Sequence, residues 1–84
     1  RSGRTPRRGP VADLVRHDRA HGTRYVATLS AWLRAQGDLA RAATTLEVHP
    51  NTVRYRLRRM NEVTALRLDD PDQRLAMLIA LAVR

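Results

Sequence analysis

The sequence has no cysteine, no phenylalanine and no lysine, and its only aromatic residues are one tryptophan and two tyrosines. Without cysteine, the chain has neither a disulfide framework nor a thiolate metal site, which fits a reducing compartment. The longest apolar run, residues 75–83, is far shorter than the ~20 residues that span a bilayer. The basic N-terminus lacks the apolar segment of a signal peptide. We therefore expect a cytoplasmic protein that does not span a membrane.

The charge is strongly positive for so short a chain. Sixteen arginines stand against eight acidic residues, which gives a formal net charge of +8 over 84 residues. We attach no weight to the use of arginine instead of lysine, because that bias also accompanies GC-rich genomes. The excess itself favours a polyanionic partner, with nucleic acid first and an anionic membrane surface second. With nucleic acid as the preferred partner, we expect a nucleoid-associated protein and no membrane partner.

The spacing of apolar residues predicts five helices and no strands, so we expect an all-α fold. Residues 1–10 have no side chains that can form a core and are expected to be a disordered basic tail or linker, with a DNA-contacting arm as the alternative. Residues 11–84 are expected to form one helix-turn-helix DNA-binding domain. Its motif should occupy residues 38–64, with a recognition helix over residues 50–64.

Two helices should precede the motif. The first should begin at Val11 and fade near residues 18–22. The second should lie within residues 23–37, with Thr23 as its N-cap and Gly37 at its C-terminal cap. Their apolar residues follow helical spacing and are expected to enter the core.

Local signals define the predicted motif. Asp38 should cap a short helix over residues 39–46, and a break of three residues should follow. Pro50 should begin the next helix, which should end near Thr64, because proline at the first helical position costs no hydrogen bond. Paired alanines in the short helix allow the two helices to approach closely, as a helix-turn-helix requires.

The last helix should begin at Pro71, with Asp70 as its N-cap and Gln73 in capping-box spacing. Its predicted apolar face consists of Leu75, Leu78, Ile79, Ala82 and Val83, extended by Met77 and Leu81. This face either closes the core or has surplus area for dimerisation or for docking to a further domain.

The predicted recognition helix combines an apolar seam with dense positive charge. Leu57, Met60 and Thr64 fall within about 40° of Val53 around its axis, and these four residues should face the core. The opposite arc consists of Asn51, Arg54, Tyr55, Arg58 and Glu62. One edge of the arc is flanked by Thr52, Arg56 and Arg59.

Residues of the arc suit base recognition in a major groove. Asn51 can bond adenine with two hydrogen bonds, and Arg54 or Arg58 can do the same with guanine. Tyr55 can pack against a thymine methyl group or bond a phosphate. The candidate DNA-binding residues are His49, Pro50, Asn51, Thr52, Arg54, Tyr55, Arg56, Arg58 and Arg59.

The flanking residues suit phosphates, which position a protein on DNA without reading its sequence. Thr52, Arg56 and Arg59 belong to this group, and His49 at the turn can also contact a phosphate. The structural alternative is a solvated face on which these arginines pair with Glu62 and its neighbours.

A family resemblance adds to this interpretation. Residues 40–81 resemble the C-terminal helix-turn-helix domain of PucR-type bacterial transcriptional regulators, chiefly through VHPNTVRYRLRRM (48–60) and the following DDPDQRLAMLIAL. Upstream, residues 17–33 resemble the D-x-x-x-G-T-x-x-x-x-T-L approach to that domain. Two positions depart from the family pattern: Pro50 stands where arginine is frequent, and Ala65 where glycine is usual.

The resemblance implies a Fis-like helix-turn-helix core with flanking helices, binding double-stranded DNA at the C-terminus of a longer regulator. It also implies an N-terminal sensor domain that is missing from this chain, and a homodimer in the full-length protein. Two other classes stay open. One is a protein-interaction module that binds an acidic partner, and the other is a nonspecific nucleoid-type DNA-binding protein.

Enzymatic chemistry is not expected. His17 and His21 have helical spacing for a shared metal, but there is no obvious third ligand. The sequence has no glycine-rich phosphate loop and no triad-like arrangement. Three aspartates near Pro71 are explained by helix capping and the helix dipole. We therefore expect no cofactor and no metal.

Overall fold

The computed structural model describes residues 9–84, which contain helices and no strand. The five helices are α1 (Pro10–His21), α2 (Tyr25–Arg34), α3 (Leu39–Leu46), α4 (Pro50–Val63) and α5 (Pro71–Val83). The predicted all-α fold with five helices is confirmed. The predicted tail lies mostly in residues 1–8, outside the described residues, and α1 begins one residue before the predicted start.

The core consists of two adjoining clusters. The larger joins α1, α2, α4 and α5, and Leu29 of α2 is fully buried within it. The smaller cluster joins α2, α3 and α4. In it Ala42, Ala43 and Val53 have 0%, 2% and 0% exposure, so the paired alanines do let α3 and α4 pack closely.

The start of α2 differs from the prediction. Thr23 is not the N-cap; Arg24 occupies that position and makes no capping bond with its side chain. Asp18 caps the helix from α1 instead, because its Oδ1 accepts from the Tyr25 N–H at 2.9 Å and its Oδ2 from the Val26 N–H at 3.0 Å. The Thr23 hydroxyl donates to the same carboxylate.

Replacing Asp18 by alanine is expected to lower the free energy of unfolding by about 2–3 kcal/mol, because two backbone donors and one hydroxyl lose a charged acceptor. Urea titration followed by circular dichroism measures the change. Asp69→Ala is the matched control, since Asp69 is exposed and its loss should change stability by less than about 0.5 kcal/mol. Equal losses in the two variants would contradict the capping role.

The end of α2 also corrects a prediction. The helix ends at Arg34, and Gln36, with φ +56°, takes the left-handed position predicted for glycine. The Gly37 N–H donates to the Trp32 carbonyl and the Gln36 N–H to the Leu33 carbonyl, both at 3.0 Å. These bonds form a Schellman motif in which Gly37 comes one residue after the expected position.

The two helices of the predicted motif are α3 and α4, and α4 ends at Val63, one residue before the predicted end. Asp38 caps α3 by accepting from the Arg41 N–H at 3.1 Å. The helix ends at Leu46, and Pro50 begins α4 after a three-residue turn. Within the turn, Glu47 is left-handed with φ +60°, a conformation that usually favours glycine.

The end of α4 explains how the chain accommodates Ala65. Thr64 is the C-cap, and its hydroxyl donates to Asp13 Oδ2 of α1 at 2.8 Å. Asn61 Oδ1 then accepts from the N–H of Leu66, which is fully buried. Because these side chains end the helix, Ala65 needs no positive φ, and glycine is not required there.

At the start of α5, the predicted cap is confirmed and the capping box is half formed. Asp70 accepts from the N–H groups of Asp72 and Gln73, at 2.9 and 3.4 Å. Its own N–H donates to the Arg67 carbonyl at 3.1 Å, and not to the side chain of Gln73 as a complete capping box requires.

The predicted apolar face of α5 was wrong in its orientation. Met77, placed at its edge, is the buried residue at 2% exposure, and Leu78 packs partly buried against the core. By contrast, Leu75, Ile79 and Val83 are 58%, 56% and 77% exposed. These three residues form what we call the α5 stripe. None of the described helices is long and apolar enough to cross a membrane.

Candidate nucleic-acid interface

The apolar seam of α4 faces the core as predicted. Val53 and Met60 are fully buried, and Leu57 packs partly buried against both clusters. Met60 belongs to the larger cluster and Val53 to the smaller. Because both clusters hold the same side of the helix, its opposite side lies in solvent along most of its length.

The start of α4 is fixed by the turn. His49 is the N-cap, and its Nδ1 accepts from the Asn51 N–H at 3.0 Å. Pro50 is the first helical residue. An Nδ1 that accepts a hydrogen bond carries no proton, so Nε2 is the nitrogen that can donate to an external acceptor.

The four residues predicted to contact bases are all exposed and form two adjacent pairs. Arg54 Nη1 donates to Asn51 Oδ1 at 3.0 Å. The Arg58 guanidinium carbon lies 5.9 Å from the centroid of the Tyr55 ring, within the range of a cation–π contact. Each arginine is therefore held over the surface by a neighbour on the same helix, and Asn51, Arg54, Tyr55 and Arg58 together form the exposed arc.

Arg59 lies at the edge of the exposed arc. Its Nη1 is 2.9 Å from Glu62 Oε1, with the two side chains 51% and 62% exposed. Glu62, and then a hydrogen bond with Tyr25, raise the pKa of Arg59 above its usual value. Like every arginine side chain, Arg59 is charged at physiological pH, and its charge is partly offset by Glu62, the one acidic residue of α4.

Arg56 points away from the exposed arc. It is half-buried, and its Nη1 donates to Thr28 Oγ1 of α2 at 3.3 Å. Thr28 is fully buried. Arg56 lies about 60° from Val53 around the helix axis, which brings it towards the body of the protein. Thr52, on the same edge, is also half-buried.

Sequence reasoning missed the contribution of α2 to this surface. Thr28 orients Arg56, and Tyr25 lines a small surface cleft together with Arg59. One available signal was Thr28 itself, a polar residue within an otherwise apolar helical face. Tyr25 gave no such signal, because an aromatic residue at this position is also expected in a core. In the structure it stacks on His17 and is buried.

These features define a helix-turn-helix DNA-binding domain: two closely packed helices, a three-residue turn, and a second helix with a buried seam and a basic outer face. Residues 25–83 match the PucR C-terminal helix-turn-helix domain, and the chain belongs to that family. This family of domains occurs in transcriptional regulators, so the chain is a DNA-binding domain of transcription regulation.

Several relatives support the assignment. An uncharacterised protein of Thermomonospora curvata is 44% identical over 66% of this chain and 31% of its own length. The DNA-binding transcriptional activator AdeR of Bacillus subtilis is 27% identical over 88% of this chain and 18% of its own. The carbohydrate diacid regulator of Escherichia coli is 41% identical over 64% of this chain and 14% of its own length. The chain thus spans less than a third of each of these relatives. No solved structure matches it.

Proposed function

We propose that the chain is the sequence-specific DNA-binding module of a bacterial transcriptional regulator, and that α4 enters the major groove. The exposed arc carries this proposal, because it presents an amide, two guanidinium groups and a phenol on one surface. These groups match the hydrogen-bonding edges of adenine and guanine in the major groove. The 14 residues of α4 are about 21 Å long, and a major groove is wide enough to admit a helix.

Residues beside the exposed arc would position the domain on the DNA backbone. Thr52 and Arg59 flank the arc, and His49 Nε2 can donate a hydrogen bond from the turn. Pro50 fixes the backbone conformation of the first turn of α4. About five phosphate contacts by one domain would give a slope of log K against log salt near −4 to −5. Binding of one domain alone should be weak.

The full regulator would place two such domains on paired half-sites. We propose a homodimer, with a sensor domain N-terminal to this module. The relatives are much longer than the matched segment, which supports a further domain. Two-fold symmetric regulators bind half-sites about one helical turn apart, so the operator should contain an inverted repeat.

Selection from random duplexes tests the proposed function. The 84-residue chain should enrich a short motif, and the selected duplex should bind more tightly than a scrambled duplex at equal salt. The slope of log K against log salt should be near −4 to −5 for both. A selection that yields no motif would favour a nonspecific nucleoid-type protein instead.

Glu62→Gln should tighten DNA binding by about two- to fivefold for all sequences. The change removes the carboxylate that pairs with Arg59 and the repulsion between that carboxylate and DNA phosphates. Fluorescence anisotropy with selected and scrambled duplexes measures the effect. Asp69→Asn is the control for charge, because Asp69 lies outside α4. Weaker binding by Glu62→Gln would contradict the proposed placement of this edge near phosphates.

A protein-interaction module is the second candidate, and the α5 stripe favours it because three large apolar residues are exposed there. Ile79→Ser tests it better than a change at Leu78, which packs on the core. Loss of partner binding with Ile79→Ser but not with Arg58→Ala would support this function over DNA recognition.

A further inference from the structure

A polar cleft of about 350 Å³ lies beside the helix-turn-helix turn, where the end of α3 and the side of α4 meet the start of α2. It is lined by Arg24, Thr45, Leu46, Glu47, Val48 and Arg56. Two guanidinium groups from distant parts of the sequence therefore border one small cleft. Neither takes part in the exposed arc.

Arg56 is held at this cleft by a chain of hydrogen bonds. The Thr28 hydroxyl donates to the Arg24 carbonyl at 2.8 Å, which leaves its oxygen to accept from Arg56 Nη1 at 3.3 Å. A guanidinium group has five N–H donors, and Thr28 occupies one of them. Arg56 is thus half-buried and fixed in its orientation, and its guanidinium group has further N–H donors for an external acceptor.

The charges at the cleft favour an anion. Within residues 9–84, the ion pairs are Arg16–Asp13 and Arg59–Glu62, so neither cleft arginine is paired with a carboxylate. A half-buried cation without a counter-charge is costly, and an anion from outside relieves that cost. Glu47 also lines the cleft and reduces its net charge, but the two arginines leave it cationic.

We infer that this cleft binds a backbone phosphate of DNA, with Arg24 and Arg56 as its two cationic contacts. The inference rests on the proposed function. The cleft borders the turn that leads into α4, and a helix placed in the major groove by its N-terminal half has backbone phosphates on its flanks. Arg24 precedes the matched family segment, residues 25–83, and so extends the DNA-contacting surface beyond it.

Arg24→Gln tests the inference in the 84-residue chain. Binding to the selected duplex and to its scrambled form should weaken by the same factor, about three- to tenfold. The salt slope should become shallower by about 0.9, the value for one lost phosphate contact. Sequence preference should not change, because phosphates carry no base information.

Two matched variants sharpen the test. Arg19→Gln removes the same charge from an exposed position on α1, and its salt slope should stay at the native value. Glu47→Gln keeps the shape of the side chain but removes the opposing charge, so it should tighten binding to both duplexes by about two- to threefold. Circular dichroism confirms that each variant folds.

The outcomes separate the inference from the function on which it rests. If Arg24→Gln keeps the native slope while the native chain still prefers its selected duplex, the inference is overturned and the proposed function stands. If millimolar inorganic phosphate stabilises the native chain but not Arg24→Gln, and displaces no DNA, the cleft is a free-anion site and the DNA assignment is overturned. If the native chain binds no duplex, both fail.

Discussion

Leu29→Ala is expected to lower the free energy of unfolding by about 2–5 kcal/mol, a larger loss than that expected for Asp18→Ala. Leu29 has 0% exposure and lies in the cluster that joins α1, α2, α4 and α5. Alanine would leave a cavity in the cluster whose side chains hold these four helices together. A domain of this size is stabilised by only about 4–12 kcal/mol, so the variant should be partly unfolded near 37 °C.

The matched control is Leu75→Ala, which makes the same chemical change in the α5 stripe. Leu75 is 58% exposed, so the free energy of unfolding should change by less than about 0.5 kcal/mol. Thermal and urea unfolding of both variants measure the difference. If Leu75→Ala proves as damaging as Leu29→Ala, then α5 is rotated relative to the described structure.

The largest effect on function is expected at Asn51 and Arg54. Replacing either by alanine should weaken binding to the selected duplex by about 1–3 kcal/mol, roughly 5- to 150-fold, while binding to scrambled duplex falls much less. The reason is that these side chains are assigned to base edges, where a lost bidentate contact removes discrimination. Anisotropy titrations of both duplexes at one salt concentration measure the loss.

The hydrogen bond from Arg54 to Asn51 predicts that the effects of the two substitutions are not additive. Because the two side chains contact each other at 3.0 Å, their double variant should lose less than the sum of the two single losses. Arg59→Ala is the control on the same helix, and it should weaken all sequences alike. An unchanged preference in both Asn51→Ala and Arg54→Ala would contradict their base-reading role.

Local chemistry was enough to predict most helix boundaries. Asp38, Pro50 and Asp70 act on backbone groups within three residues of themselves, so their effects can be recognised in a short stretch of sequence. The seam of Val53 and Met60 was also predictable, since a helix of 14 residues with one apolar face can bury only that face.

Contacts between distant residues were not predictable in the same way. Asp18 caps α2 from the preceding helix, whereas Thr23 was the nearer residue with capping chemistry. Arg56 was predicted to contact a phosphate, but its direction towards the cleft beside the turn depends on Thr28, 28 positions earlier in the chain. Such pairings follow from how helices pack, which their individual patterns do not specify.

The rotation of α5 was unpredictable for another reason. Every residue from Leu75 to Val83 is apolar, so hydrophobic spacing does not select one face. Met77 becomes the buried residue because the helix packs against α1 and α2 at that position. The α5 stripe is left in solvent as a result, and it gave no distinct signal in the sequence.

Dimethyl sulfate interference on the selected duplex tests the central claim most directly. This reagent methylates guanine N7 in the major groove and adenine N3 in the minor groove, so the two grooves are probed separately. The account predicts that methylated guanine N7 within the selected motif blocks binding, and that methylated adenine N3 there does not. Interference confined to adenine N3 would contradict the insertion of α4 into the major groove.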